Sequence, residues 1–266
     1  MNIHPSSKTT SDLHLRQFRT IWISDVHLGT HGCKAAVLLE FLRTHESDFL
    51  YLVGDIVDCL RLRSNWYWPQ PHNDVLQKLL RKARKGTHII YVPGNHDQFA
   101  RAYGGATFGD ILILPEAEHV TVTGKRLLII HGDIFDAAVT HQRWMSRLGA
   151  WAYDLCVVLN NQLNVLRNFM GLPYWSLAAF LKCHLKEAAK FINNFEEILA
   201  NEARSRGYDG VVCGHIHHPA IRNIDGTMYF NDGDWVESCS ALVEHFDGSI
   251  ELLSFAASHS SATKQN

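Results

Sequence analysis

The chain has 266 residues, 46% hydrophobic and 20% charged, which suits one globular core with room for an appended cap. Its formal net charge of -2 offers no basic field for a polyphosphate backbone, so a nucleic-acid polymer is not expected as a partner. The six cysteines, at 33, 59, 156, 183, 213 and 239, include no C-x-x-C pair; this argues against a disulfide framework and a thiolate zinc site and points to a reducing, cytoplasmic setting.

Residues 1–19 lack the apolar core of a secretory signal and read as a flexible tail. A short strand follows over Thr20–Asp25 (TIWISD). Four more apolar runs share its form: FLYLVGD at 49–55, HIIYVPGN at 88–95, RLLIIHGD at 126–133 and GVVCGHIH at 210–217. Each reads as a buried strand that hands its last side chains to a sheet edge. Helical stretches at Lys34–Arg43 and Asp74–Lys85 separate the first three, the second with Asn73 as N-cap and Gly86 as stop, so the first half is β-α-β-α-β.

From 136 to 206 two long helical patterns, divided by Gly171-Leu172-Pro173, read as a helical cap. Its most apolar part, LGAWAYDLCVVL, is interrupted by Asp154 and falls short of the roughly 20 residues that span a bilayer, which leaves peripheral membrane contact open. After Gly226 the runs TMYFND, SALVEHF and SIELLSF, with the turn Asp247-Gly248, read as antiparallel hairpins of a second, β-rich layer. Residues 256–266 read as a second solvated tail.

In open α/β sheets ligands collect outside the carboxyl ends of the strands. Five polar clusters sit at such ends: Asp25-Val26-His27, Gly54-Asp55-Ile56-Val57-Asp58, Gly94-Asn95-His96-Asp97, His131-Gly132-Asp133 and Gly214-His215-Ile216-His217. Any one of them alone is more often a turn or a cap than a ligand set. Five in one domain are not explained that way. Imidazole, carboxylate and amide oxygen together suit manganese, iron, zinc or nickel. Two ions acting as one clamp lie about 3.5–4 Å apart and need a shared ligand, for which Asp55 is the natural candidate. Asp25 and His27, like His215 and His217, are two apart and face one side of an extended chain. Gly54, Gly94 and Gly214 immediately precede candidate ligands, where a small residue lets the backbone approach closely.

The order D-x-H, G-D-x-x-D, G-N-H-D, H-G-D and G-H-x-H resembles the calcineurin-like metallophosphoesterase family, with all five motifs intact. The resemblance implies a four-layer α/β/β/α sandwich over 20–255, carrying the cap as an insertion, and a hydrolase of phosphoric esters or anhydrides. It implies two divalent ions, Mn2+ first among the candidates: one held by Asp25, His27, Asp55 and His217, the other by Asp55, Asn95, His131 and His215. His96 would be catalytic without being a ligand, Asp97 would orient it, and Asp58 and Asp133 would fix ligand geometry. A member that had become a non-catalytic metal-binding interaction protein would show broken motifs.

Within the family, SDVHLG, GDIVD, the long helical insert and FNDGDWVES resemble the bacterial UDP-2,3-diacylglucosamine pyrophosphatases of lipid A synthesis. The histidine of Gly94-Asn95-His96-Asp97 departs from the G-N-R-D that many of them carry. A phosphorylated, amphiphilic substrate cleaved to UMP and a lipid-sugar phosphate is implied; the alternative is a phosphomonoesterase or phosphodiesterase for a small soluble metabolite. Trp144, Leu148, Trp151, Leu155, Leu159, Leu163 and Leu166 recur at helical steps, and 141–206 carries eight Lys and Arg against five Asp and Glu. Such a stripe usually packs against a core; a lipid-facing role makes Trp151 and Trp175 substrate-binding candidates, beside Trp66 and Trp68 of the loop Asn65-Trp66-Tyr67-Trp68-Pro69. Histidines outside the motifs, His45, His72 and His119 among them, read as packing or surface residues.

Overall fold

The structure, a computed structural model, describes residues 15–136 and 177–255, with 177–188 described as backbone only. Trp151 and Trp175, and with them most of the expected cap, lie outside the described residues. The first sheet contains β1 (Arg16–Ile23), β2 (His45–Val53), β3 (His88–Val92), β4 (Thr107–Phe108), β5 (Ile111–Ile113), β11 (Ser240–Glu244) and β12 (Ile250–Ser254), in the order β12-β11-β1-β2-β3-β5-β4. The second contains β6 (Ala117–Val120), β7 (Arg126–Ile129), β8 (Gly210–Cys213), β9 (Ala220–Ile224) and β10 (Thr227–Asn231), in the order β6-β7-β8-β10-β9. Strands β1, β2, β3 and β5 run parallel, as do β7, β8 and β10.

The side-chain period of two explains why these strands read as unbroken apolar runs. In β1, Trp22 faces the second sheet, where Tyr51, Val53 and Val92 meet Leu127, Ile129, Val212 and Phe230. Its neighbours Ile21 and Ile23 face the other way, onto Leu38, Phe41 and Leu42 of helix α1 (Ala35–Thr44) and Val75 and Leu79 of helix α3 (Gln70–Arg84). On the far side of the second sheet, Phe195, Leu199 and Ala203 of helix α4 (Leu177–Ser205) pack on Leu128, Val211 and Tyr229. The layers are therefore helix, sheet, sheet, helix. A short helix α2 (Cys59–Ser64) follows the Asp55 strand, its N-terminus capped by Asp58, which accepts from the Arg61 amide at 2.8 Å.

Four boundaries differ from the sequence reading. β1 begins at Arg16, inside the expected N-terminal tail, because Arg16, Gln17 and Phe18 pair in register with His45, Glu46 and Ser47. α3 begins at Gln70 behind Pro69, with Pro71 in its first turn where a missing amide hydrogen costs little. Asn73 is thus inside the helix rather than its cap, and its side chain accepts from Trp68 Nε1 at 2.9 Å. The hairpin β11-β12 extends the first sheet instead of forming a second layer, because β11 is buried along its whole length and pairs with β1 at Thr20↔Glu244. Finally, the expected cap segment ends in core structure, since the last turns of α4 form the fourth layer.

His119 is a packing residue, buried between the sheets with Nε2 2.9 Å from Glu244 Oε2. Burial alone would raise the Glu244 carboxyl, but His119, the Val122 amide, Arg19 and Thr20 outweigh it and hold its pKa at about 2. The described cysteines 33, 59, 213 and 239 are free thiols, and no helix among the described residues is long and apolar enough to cross a membrane.

Candidate metal centre

The five polar clusters converge because β1, β2 and β3 of one sheet and β7 and β8 of the other all end on the same side of the sandwich. Backbone hydrogen bonds knit these ends together: the Asp25 amide donates to Gly54 O at 3.0 Å, His27 to Asp55 O at 2.9 Å and Gly214 to His131 O at 3.3 Å. Asp25, His27, Asp55, His215 and His217 all have positive φ, between 48° and 73°. The left-handed backbone costs a non-glycine residue about 1–3 kcal/mol and persists where surrounding structure over-determines it, as at ligand-binding turns.

Ligand-type atoms gather in three overlapping groups, each within 4.8 Å: Asp25, His27 and His217; Asp55, His131 and His215; and His27, Asp55 and His96. Asp55 belongs to two of them. Its Oδ2 lies 3.4 Å from His131 Nε2, 3.9 Å from His27 Nε2 and 3.9 Å from His96 Nε2, while Oδ1 accepts from the His96 amide at 2.8 Å. His217 Nε2 stands 3.2 Å from Asp25 Oδ1. Asp25, His27, Asp55 and His131 are each at most 5% exposed. The buried atoms here without a hydrogen-bond partner include Asp25 Oδ1, His27 Nε2, Asn95 Oδ1 and His131 Nε2. Buried polar atoms are rarely left unsatisfied. All are of the types that bind divalent ions, and Asp25, His27 and His131 belong to the groups of clustered ligand atoms, so the residues present fit the implied pair of metals.

The surroundings fix which atom each ligand presents. His131 Nδ1 donates to Val53 O at 2.8 Å, which turns Nε2 toward Asp55. His27 Nδ1 lies 3.1 Å from Asp58 Oδ2, which turns its Nε2 inward. Asp25 Oδ2 accepts from Ser24 Oγ at 2.6 Å and from the His215 amide at 2.7 Å. Ser24 Oγ is also 2.6 Å from Asp232 Oδ1. Burial, opposed by Ser24 and reinforced by the nearby Asp25 charge, pushes Asp232 well above the usual carboxylate range. Burial would also raise Asp25, but His217 and His27 hold it well below its ordinary value. Burial works against protonation of His27 and His131, but the carboxylates Asp25 and Asp58 around the first and Asp55 beside the second raise them to about 9 and about 10.

Asp97 does not hold the His96 side chain as the sequence suggested. Its carboxylate accepts the Gly94 amide at 2.6 Å and the Ile56 amide at 2.7 Å, clamping the Asn95 and Asp55 loops to each other. The carboxylate beside His96 is Asp58, with Oδ2 2.9 Å from Nδ1. Asp133 accepts from Arg101 Nη2 at 2.6 Å, and the same guanidinium donates to Pro93 O at 3.0 Å, tying the loop after β3 to the loop after β7. Trp68 is half-buried against the core and engaged by Asn73, so Trp66, 75% exposed, is the loop's solvent-facing ring.

The glycines before the ligands have a steric reason. A Cβ on Gly54 would stand 2.2 Å from His131 Nδ1, one on Gly214 2.4 Å from Asp25 Oδ2, and one on Gly94 2.3 Å from Asp55 Oδ1. Gly94→Ala is therefore expected to destabilise the fold by about 1–3 kcal/mol, the usual cost of overpacking. A thermal melt checks this, and an unchanged melting temperature would mean that the loop relaxes.

Sequence reading missed four contributors. Ser24 and Asp232 lie next to ligands within SDVHLG and FNDGDWVES, where their polarity on buried strand ends was a usable signal. Arg101 lies in a short 3-10 helix, Gln98–Tyr103, with no such signal. Asp136, whose Oδ1 is 2.8 Å from His215 Nε2, is five residues beyond His131 in a stretch assigned to the cap.

A family model for calcineurin-like phosphoesterases matches residues 18–219. Among curated proteins, the UDP-2,3-diacylglucosamine hydrolase of Photorhabdus laumondii is 26% identical over 256 residues, covering 89% of this chain and 98% of that protein. The protein of the same name from Pectobacterium carotovorum is 27% identical, also covering 89% and 98%. Among solved structures, an E. coli phosphoesterase aligns over 89% of this chain and 98% of its own at 16% identity and a TM-score of 0.43.

Proposed function

The chain belongs to the calcineurin-like phosphoesterase family and is a hydrolase, and on that footing we propose that it is a dinuclear pyrophosphatase acting on UDP-2,3-diacylglucosamine or a related nucleotide-sugar lipid. The observation that carries the two-ion reading is Asp55, one carboxylate that groups with His131 and His215 on one side and with His27 and His96 on the other, His27 in turn grouping with Asp25 and His217. Mixed imidazole, carboxylate and amide donors favour Mn2+, with iron, zinc and nickel as competitors. Such a pair, when bound, supplies an activated water and neutralises phosphoryl charge.

The chain's own residues supply the rest. His96 is the histidine of the cluster that is not needed to complete either set of four ligands. Its Nδ1 is beside Asp58, so Nε2 faces the site and can hand a proton to the leaving oxygen or hydrogen-bond the phosphoryl group. The long-range clamps of Asp97 and Arg101 hold the Asn95, Asp55 and His131 loops in fixed relation, which supports catalysis by positioning.

The rim supports an amphiphilic substrate. Leu60, Phe99 and Ile134 each follow a site residue by one or two positions, and with Trp66 they are 51%, 61%, 62% and 75% exposed. Exposed apolar groups so close in sequence to a polar centre suit contact with an apolar part of a ligand or with a membrane. Peripheral attachment at the cytoplasmic face of a membrane follows from the same reading, with Trp66 and, outside the described residues, Trp151 and Trp175 as the proposed acyl contacts. Each acyl methylene removed from water is worth about 0.8 kcal/mol, so long chains outweigh several head-group contacts.

The test is kcat/KM with manganese on UDP-diacylglucosamine, acyl-free UDP-glucosamine, cyclic nucleotides and an aryl phosphate. A steep fall as the acyl chains shorten, blunted in Trp66→Ala, is expected. Equal efficiency on acylated and acyl-free substrates would replace the lipid reading with a phosphoesterase for small soluble metabolites.

A further inference from the structure

We propose that Asp136 is a positioning residue for the second metal site, holding the His215 ring by Nε2 so that Nδ1 is the nitrogen presented toward Asp55 and His131. This rests on the two-ion reading above. The observation is the contact of Asp136 Oδ1 with His215 Nε2 at 2.8 Å, between side chains that are 13% and 8% exposed.

Imidazole has two ring nitrogens, and which one serves an ion is set by what the other bonds. His131 is fixed this way by Val53 O and His27 by Asp58. For His215 the fixing group is a carboxylate, which also raises the basicity of the ring it holds. The His215 ring is confined on its other sides: its centroid is 5.0 Å from that of His131 and 6.0 Å from that of Phe195.

The placement of these neighbours sets this site apart. Asp58 and Val53, which orient His27 and His131, belong to the first sheet and the loop after it. Asp136 instead follows β7, and Phe195 lies on α4. Residues before and after 137–176 in the chain thus bear on one ligand of the second ion. The other group, Asp25, His27 and His217, is supported by Ser24, Asp232 and Asp58, which have no part in the insertion. Affinity for the second ion is therefore tied to Asp136, and affinity for the first is not.

The test is titration of the full chain, stripped of metal by chelation, with Co2+, followed by calorimetry and visible absorption. Wild type should take up two equivalents. Asp136→Ala should bind the first unchanged and the second about 10- to 100-fold more weakly, the usual cost of losing a group that orients a ligand. The absorption of the second equivalent should change while that of the first is kept, and Asp136→Glu should recover part of the loss. Two equivalents with wild-type affinity and spectrum in Asp136→Ala would overturn the proposal. So would tighter second-site binding, which would make Asp136 a competitor for His215, and so would equal weakening of both ions, which would make its role general to the fold. Fewer than two equivalents in wild type would instead fail the two-ion reading itself, and the inference with it.

Discussion

Asp55→Ala should lose both ions and essentially all turnover. The carboxylate is 2% exposed and lies within reach of His27, His96 and His131, so its removal deletes in one step the ligand that the two proposed ions share. It also leaves His131, whose pKa of about 10 depends on the Asp55 charge, without its nearest anion in the metal-free protein. Loss of an outer-shell partner typically costs roughly 10- to 100-fold in metal affinity, and loss of a shared ligand should exceed that at both sites. Metal content measured after gel filtration is the readout, with Asp55→Asn as the companion variant because it keeps the shape and one oxygen. Two ions and normal activity in both variants would remove Asp55 from the bridge.

His96→Ala should retain both ions and lose kcat by about 10²- to 10⁴-fold, the range for general acid-base groups. The geometry makes this a sharp test, because His96 shares a group with His27 and Asp55 and on distance alone could serve as a ligand. If metal is lost with the side chain, His96 is a ligand; if turnover survives on a substrate with a poor leaving group, it is not the proton donor. Comparison with an aryl phosphate, whose leaving group needs no proton, separates the two roles remaining to it. A loss confined to the poor leaving group marks proton transfer, and an equal loss on both marks phosphoryl contact.

The strands that carry ligands were legible because burial on both faces writes an unbroken apolar run, and the run stops where a polar residue must meet an ion. Short strands such as β4, β6 and β9 have exposed or mixed faces and left no such trace. The ligand set itself was readable as motif and spacing. The roles of its supporting carboxylates were only partly so, since Asp58 holds His27 as expected but also takes the place beside His96 expected of Asp97, and Asp97 clamps backbone amides instead, through contacts 31 to 42 residues apart in sequence that local pattern does not encode. Asp136 was hidden for the same reason: its partner His215 is 79 positions away. The β11-β12 hairpin was recognised as a hairpin but assigned to the wrong sheet, because alternation specifies a buried face and says nothing about which neighbour covers it.

The amide of His215 donates to a carboxylate 190 positions earlier in the chain, and His131 donates to a carbonyl 78 positions earlier. A centre closed by such pairs has a high contact order, and loop-closure entropy must be met before any of its bonds forms. Ions therefore cannot nucleate folding of this domain; they can only capture it after the two sheets have docked. Metal should slow unfolding while leaving the refolding rate nearly unchanged, as expected for interactions formed after the transition state.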